Sequence, residues 1–178
     1  MNFGKGKERI ILTHLNKPME LGLAGMVSSF LFQENIAIVI DDNPKTVEYD
    51  FACLAYKKDG SAPRVMMKRE FFYDIKRGTP ESRTILMHEL GHYYNGDNLN
   101  TKGNSDLDRE SLIAQNKVSE KELKADAFAV KYLGVEKVAA GLEALKQRVL
   151  TEYADYDEES VQLTVKELEI RISYLKDN

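Results

Sequence analysis

The sequence predicts an α+β fold. Helical segments outnumber strands, the strand-like runs are clustered early in the chain, and no internal repeat suggests a solenoid. The expected architecture is a small early meander sheet packed against one central helix, followed by a helical C-terminal half. The chain's 178 residues fit one domain, spanning 1–178, with enough length to bury a core. An apolar fraction of 43% and a charged fraction of 30% fit a globular protein with a solvated surface.

In order along the chain, Asn16, Lys17 and Pro18 open a first helix over the apolar run 19–32, with proline in the first turn. That run is too short to cross a bilayer and carries Glu20, and no small-residue cleavage site of a secretory signal follows it. Residues 36–41 form a β-branched strand closed by Asp42, Asn43 and Pro44. Two more strands are expected at 47–57 and 64–73, joined as one hairpin through residues 58–63. Thr79, Pro80 and Glu81 then supply cap, first-turn proline and first-turn acid for a helix reaching Asn95 and Gly96. Residues 97–118 read as a polar insertion or flap, with at most a short helix near 107–115; its position suggests a segment that holds the protein latent. Ser119 starts another helix that ends at Gly134. Val135, Val138, Leu142, Leu145 and Val149 recur at helical spacing, and after an acidic link over 152–159 so do Leu168, Ile172 and Leu175.

Charge and cysteine content narrow the function classes. The net charge of −4 is spread along the chain and leaves no footprint for nucleic acid or an anionic membrane. The single cysteine, Cys53, reads as a small hydrophobe in a strand. It forms no internal disulfide, so a cytoplasmic location is expected.

The strongest chemical signal is His88-Glu89-Leu90-Gly91-His92. Residues four apart share a helix face, so both imidazoles reach one metal ion. Glu89, about 100° around the helix, reaches the attacking water without being a ligand. A catalytic zinc normally takes three protein ligands. The metzincin solution is excluded, because Asn95 and Asn98 stand where a glycine and the third ligand belong. Glu122 is the assigned third ligand. On a helical wheel Glu122 lies opposite Lys131 and Asp126 roughly opposite Lys124, so both acids turn inward, where a cation or strong donors are needed. Asp126 is then the acceptor that fixes the tautomer of a ligating histidine. The purely structural alternative is a capping box, in which Glu122 folds back onto Ser119. His14 is the main rival for third ligand, and Asp97 a weaker one.

The paired motifs, His-Glu-x-x-His and then Glu122-Leu-Lys-Ala-Asp126-Ala-Phe-Ala129, resemble the gluzincin metallopeptidases. The similarity is greatest to the HtpX and CAAX prenyl-protease family and its single-domain minigluzincin relatives. It spans roughly residues 79–175 and includes Glu169-Ile170-Arg171-Ile172, similar to the family's closing Arg-Ile helix. Transmembrane helices and the His-Pro pair of that family are missing. The resemblance implies a zincin-like fold, Zn2+ as cofactor, and a peptide or protein substrate added as a strand to residues 64–68 beside the active-site helix. It also implies that Glu89 acts as general base, with Arg171, Tyr132, Tyr153 or Tyr156 stabilising the oxyanion. Two other functions fit the same residues: an ImmA-like regulatory protease acting on one dedicated partner, and an inactive scaffold stapled by zinc. The intact Glu89 argues against the last, since a structural zinc has no use for a base.

Overall fold

The structure, a computed structural model, describes residues 7–11, 37–41, 53–56, 64–97, 105–154 and 157–177. The first helix expected over 16–32, together with His14 and Tyr156, lies outside the described residues. Helix dominates the remainder, and the strands precede the helices.

Four strands, β1 (Lys7–Ile11), β2 (Ala37–Asp41), β3 (Cys53–Tyr56) and β4 (Arg64–Met67), form a sheet of order β1-β2-β4-β3. β1 pairs antiparallel with β2, placing Lys7 opposite Asp41. β4 runs parallel to β2, with Ala37 opposite Arg64, and antiparallel to β3, with Cys53 opposite Met67. The expected hairpin is present, but the expected meander is not. After β2 the chain passes over one strand position to make β3, then turns back to fill the gap with β4. The burial of Val65, Met66 and Met67 explains this choice, because a strand covered on both faces belongs inside a sheet. β4 is therefore no edge, and it offers no open ladder at residues 64–68. Among the described strands β3 is the edge on that side, and it lies against the helix that carries the histidines.

The strand expected over 64–73 also ends early. Lys68 leads into α1 (Arg69–Arg77), in which Phe71, Phe72 and Ile75 are buried while Tyr73, Lys76 and Arg77 face out. Aromatic residues suit either state. Here the apolar residues recur at helical spacing, and Gly78, at φ 72°, donates its N–H to Asp74 and Ile75 to stop the helix. The buried Asp74 carboxylate accepts from Arg77 and, at 2.7 Å, from Arg148 further along the chain.

α2 (Pro80–Asn95) starts and stops where its punctuation says. Thr79 is the N-cap, although its hydroxyl bonds Ser82 Oγ rather than the helix backbone, and Gly96 closes the helix in the left-handed region. Buried residues occur all around α2, from Ser82 and Thr84 to Leu86, Met87, His88, Leu90 and Gly91. It packs on α4 (Glu120–Leu133) and α5 (Val135–Glu152). Glycine makes both approaches possible. A Cβ on Gly91 would stand 2.9 Å from both the Cα and the carbonyl oxygen of Ala125, and one on Gly141 would stand 2.8 Å from Pro80 O. The apolar core joins β4, α1, α2, α4 and α5 to α6 (Glu158–Asp177) through Leu168 and Ile172.

Within the expected polar insertion, α3 (Ser105–Ala114) is a helix docked on α6. Ile113 is buried, and Arg109 donates to Glu167 at 2.6 Å and to Thr164 at 3.2 Å. Part of the insertion is therefore anchored; residues 98–104 lie outside the described residues.

Gly91→Ala must push α2 and α4 apart, because the obstructing atoms are backbone. It is expected to lower the unfolding free energy of the metal-free protein by about 1–3 kcal/mol, read as a lower urea midpoint at unchanged slope. An unchanged midpoint would contradict the close packing.

Candidate metal centre

The helical repeat of α2 sets His88 and His92 on one face, with ring centroids 4.6 Å apart and ring planes perpendicular. Their Nε2 atoms approach to 3.0 Å. α4, drawn close by the Gly91–Ala125 contact, brings in Glu122, with Oε2 3.1 Å from His88 Nε2 and Oε1 3.3 Å from His92 Nε2. Ser119 accepts a hydrogen bond from Glu122 N, which is half of a capping box. The Glu122 carboxylate is instead turned to the histidines. Among the described residues, His88, His92 and Glu122 form the group able to hold a metal ion.

Their spacing can be tested against zinc chemistry. With bonds near ~2.1 Å, the edge of a tetrahedral site is about 3.4 Å. The two imidazole nitrogens, 3.0 Å apart, come close to that edge, and each has an oxygen of the Glu122 carboxylate beside it, Oε2 at 3.1 Å from His88 and Oε1 at 3.3 Å from His92. Each contributing atom is an electron-pair donor once the histidines are neutral, so only protons or a cation hold them this close. The residues present fit a metal ion.

Carboxylates stand behind both rings. Asp126, one turn after Glu122 and only 1% exposed, approaches His88 Nδ1 to 2.8 Å. Asp97, just past the end of α2, approaches His92 Nδ1 to 3.1 Å. Arg171 on α6 is buried and grips Asp126 with two bonds, Nε to Oδ2 at 2.8 Å and Nη2 to Oδ1 at 2.6 Å. Its Nη1 lies 3.4 Å from Glu122 Oε2, and Nη2 lies 3.0 Å from His88 Nδ1. With its guanidinium committed to Asp126, behind the histidine, Arg171 is poorly placed for the oxyanion role expected of it. Tyr132 packs its ring on Phe128 at 4.9 Å, and Tyr153 is partly buried at the end of α5.

The charges reinforce one another. Burial opposes ionisation of Glu122, yet hydrogen bonds from His88 and His92 hold its carboxyl far below the usual range. Burial likewise opposes the Asp126 anion, and His88 and Arg171 overcome it. Burial disfavours a charged His92, but Glu122 and Asp97 push that ring up to about 9. Partly buried Glu89 has its carboxyl raised, first by loss of water and then by the Glu122 charge, against the opposing influence of both histidines.

Sequence reasoning named every one of these residues, but it read Asp97 only as a rival ligand and Arg171 only through resemblance. An acid one residue beyond a glycine helix stop was the available signal for Asp97. Comparison with models of known families, with curated proteins and with solved structures returned no match. Among the described residues, no helix is long and apolar enough to cross a membrane.

The raised His92 value has a definite sign. Its folded pKa exceeds the ordinary 6.5, so its stabilising contribution is complete below pH 6.5 and is lost as pH rises through about 9. The metal-free protein is expected to melt progressively lower across that interval, while its zinc affinity rises as the competing proton leaves. Melting curves in chelator, paired with zinc titrations at each pH, check this; two flat profiles would contradict it.

Proposed function

We propose that the chain is a zinc-dependent peptidase of gluzincin type, with His88, His92 and Glu122 as ligands and Glu89 as general base. The observation that carries the proposal is the convergence of two imidazole nitrogens and one carboxylate within 3.3 Å, with a second acid, Glu89, on the same helix turn as the histidines. Two histidines and one carboxylate are a donor set that suits zinc and leaves a position open for catalysis.

A bound zinc supplies Lewis acidity, acidifying water and polarising the scissile carbonyl. Everything else falls to side chains. Glu89, with its proton affinity raised by burial, takes the proton of the attacking water and hands it to the leaving amine. Asp126 orients His88, and Arg171 holds Asp126 in place from behind, so the base works against a fixed set of neighbours. The zincin-like fold is part of the same proposal: a sheet whose edge strand flanks the histidine helix. An extended peptide then adds to β3, the edge beside α2, rather than to the interior β4.

Glu89→Gln keeps the side chain's shape and removes its basicity. The variant is expected to bind one zinc as tightly as wild type while cleavage of an unfolded protein substrate falls about 10²–10⁴-fold. Zinc titration beside a fluorescent protein-cleavage assay reads both; retained turnover would rule out the role given to Glu89.

A further inference from the structure

The end of α2 holds a device that the ligand set does not require. Gly96 N–H bonds the carbonyl of Tyr93 at 3.2 Å, and Asp97 N–H bonds the carbonyl of His92 at 3.0 Å. This pattern is a Schellman motif, with Gly96 at the left-handed position at φ 74°. In such motifs the residue after the glycine commonly makes a hydrophobic contact with the residue whose carbonyl it caps. Here those two residues are Asp97 and His92, and a polar contact replaces the apolar one. One backbone bond and one side-chain bond, the latter 3.1 Å from Asp97 Oδ2 to His92 Nδ1, join the same pair.

Asp97 is therefore aimed by the helix stop itself. No atom of the described residues lies within 4 Å of where a Cβ on Gly96 would stand, and glycine is there for its backbone angle. The Asp97 side chain is 13% exposed and the His92 side chain 22% exposed, against 8% for His88. His92 is thus the more exposed of the two rings. Asp97 contacts it on the Nδ1 side, across the ring from the Nε2 that faces Glu122, so Asp97 is not one of the converging donors.

We propose that Asp97 is a positioning residue: by accepting the Nδ1 proton of His92 it fixes the tautomer and rotation of that ring, so that Nε2 presents its lone pair to the metal. The inference rests on the metal-centre reading and deepens it. α2 then carries its own ligand lock at its C-terminus, while His88 is locked from α4 and α6.

The test measures zinc affinity by competition with a chromophoric chelator for wild type, Asp97→Ala and Asp97→Asn, with the visible spectrum of the cobalt-loaded proteins alongside. Asp97→Ala is expected to weaken zinc binding about 10–100-fold and to alter the cobalt bands. Asp97→Asn, whose amide oxygen accepts the same proton, should stay within about 5-fold of wild type and restore the bands. Zinc binding by Asp97→Ala equal to wild type would overturn the proposal, as would an Asn variant no better than Ala. Should the Ala variant fail to fold, the ring 15N resonances of zinc-loaded wild type decide. A protonated, slowly exchanging Nδ1 on His92 supports the lock, and coordination through Nδ1 overturns it. If wild type itself binds no zinc, the metal-centre reading fails; if wild type binds and Asp97→Ala binds equally, only the role of Asp97 fails.

Discussion

Two helices meet backbone to backbone at Gly91 and Ala125, and the arrangement of the site follows from that contact. Any side chain at Gly91 would have to displace main-chain atoms of Ala125 at 2.9 Å. With glycine there, α4 lies close enough to α2 for the first-turn glutamate of one helix to reach both histidines of the other. Glycine costs an interior helix position roughly 1 kcal/mol relative to alanine. That cost is offset by the packing of Leu86, Met87, Leu90 and Ala129, all fully buried around the crossing.

Close approach also creates an electrostatic problem, since it gathers like-natured groups in a poorly solvated place. Glu122 and Asp126 are one helical turn apart, and both carboxyls are held below the usual carboxylate range by the histidines and Arg171. Arg171 answers them from α6, doubly bonded to Asp126 and within 3.4 Å of Glu122. Removing one member of such a buried pair leaves the other without compensation, a loss of about 3–5 kcal/mol. The C-terminal helix is thereby tied to the site by charge as well as by Leu168 and Ile172. The histidines, whose pKa values are raised beside these acids, balance the remaining charge, and a metal ion held by the same three residues would take over that role.

What was legible in the sequence was what local chemistry determines. Pro80 and Gly96 bound the histidine helix, Ser119 and Gly134 bound the next, and the i,i+4 spacing of His88 and His92 puts both rings on one face. The inward turn of Glu122 and Asp126 could be read from a helical wheel because lysines mark the solvent side. Glu122 also shows the limit of local reading: Ser119 caps its backbone N–H, as a capping box requires, while its carboxylate is drawn off by histidines thirty or more residues away. Strand order was not legible, because the insertion of β4 between β2 and β3 depends on burial of both its faces, Val65 and Met67 on one and Met66 on the other. Residues 69–73 misled for a related reason: Phe71, Phe72 and Tyr73 suit a strand by composition, and only the buried trio Phe71, Phe72 and Ile75 reveals a helix. Asp97 was read only as a rival ligand, because its contact with His92 Nδ1 depends on the geometry of a helix stop, which residue type alone does not display.

Zinc content per chain tests the central claim most directly, using elemental analysis of protein purified without chelator and without a polyhistidine tag. Two imidazole nitrogens 3.0 Å apart, each with an oxygen of the one Glu122 carboxylate within 3.3 Å, predict a value near one zinc per chain. A value near zero that persists after zinc is added back would contradict the account, leaving the histidine–glutamate cluster as a network held by protons alone.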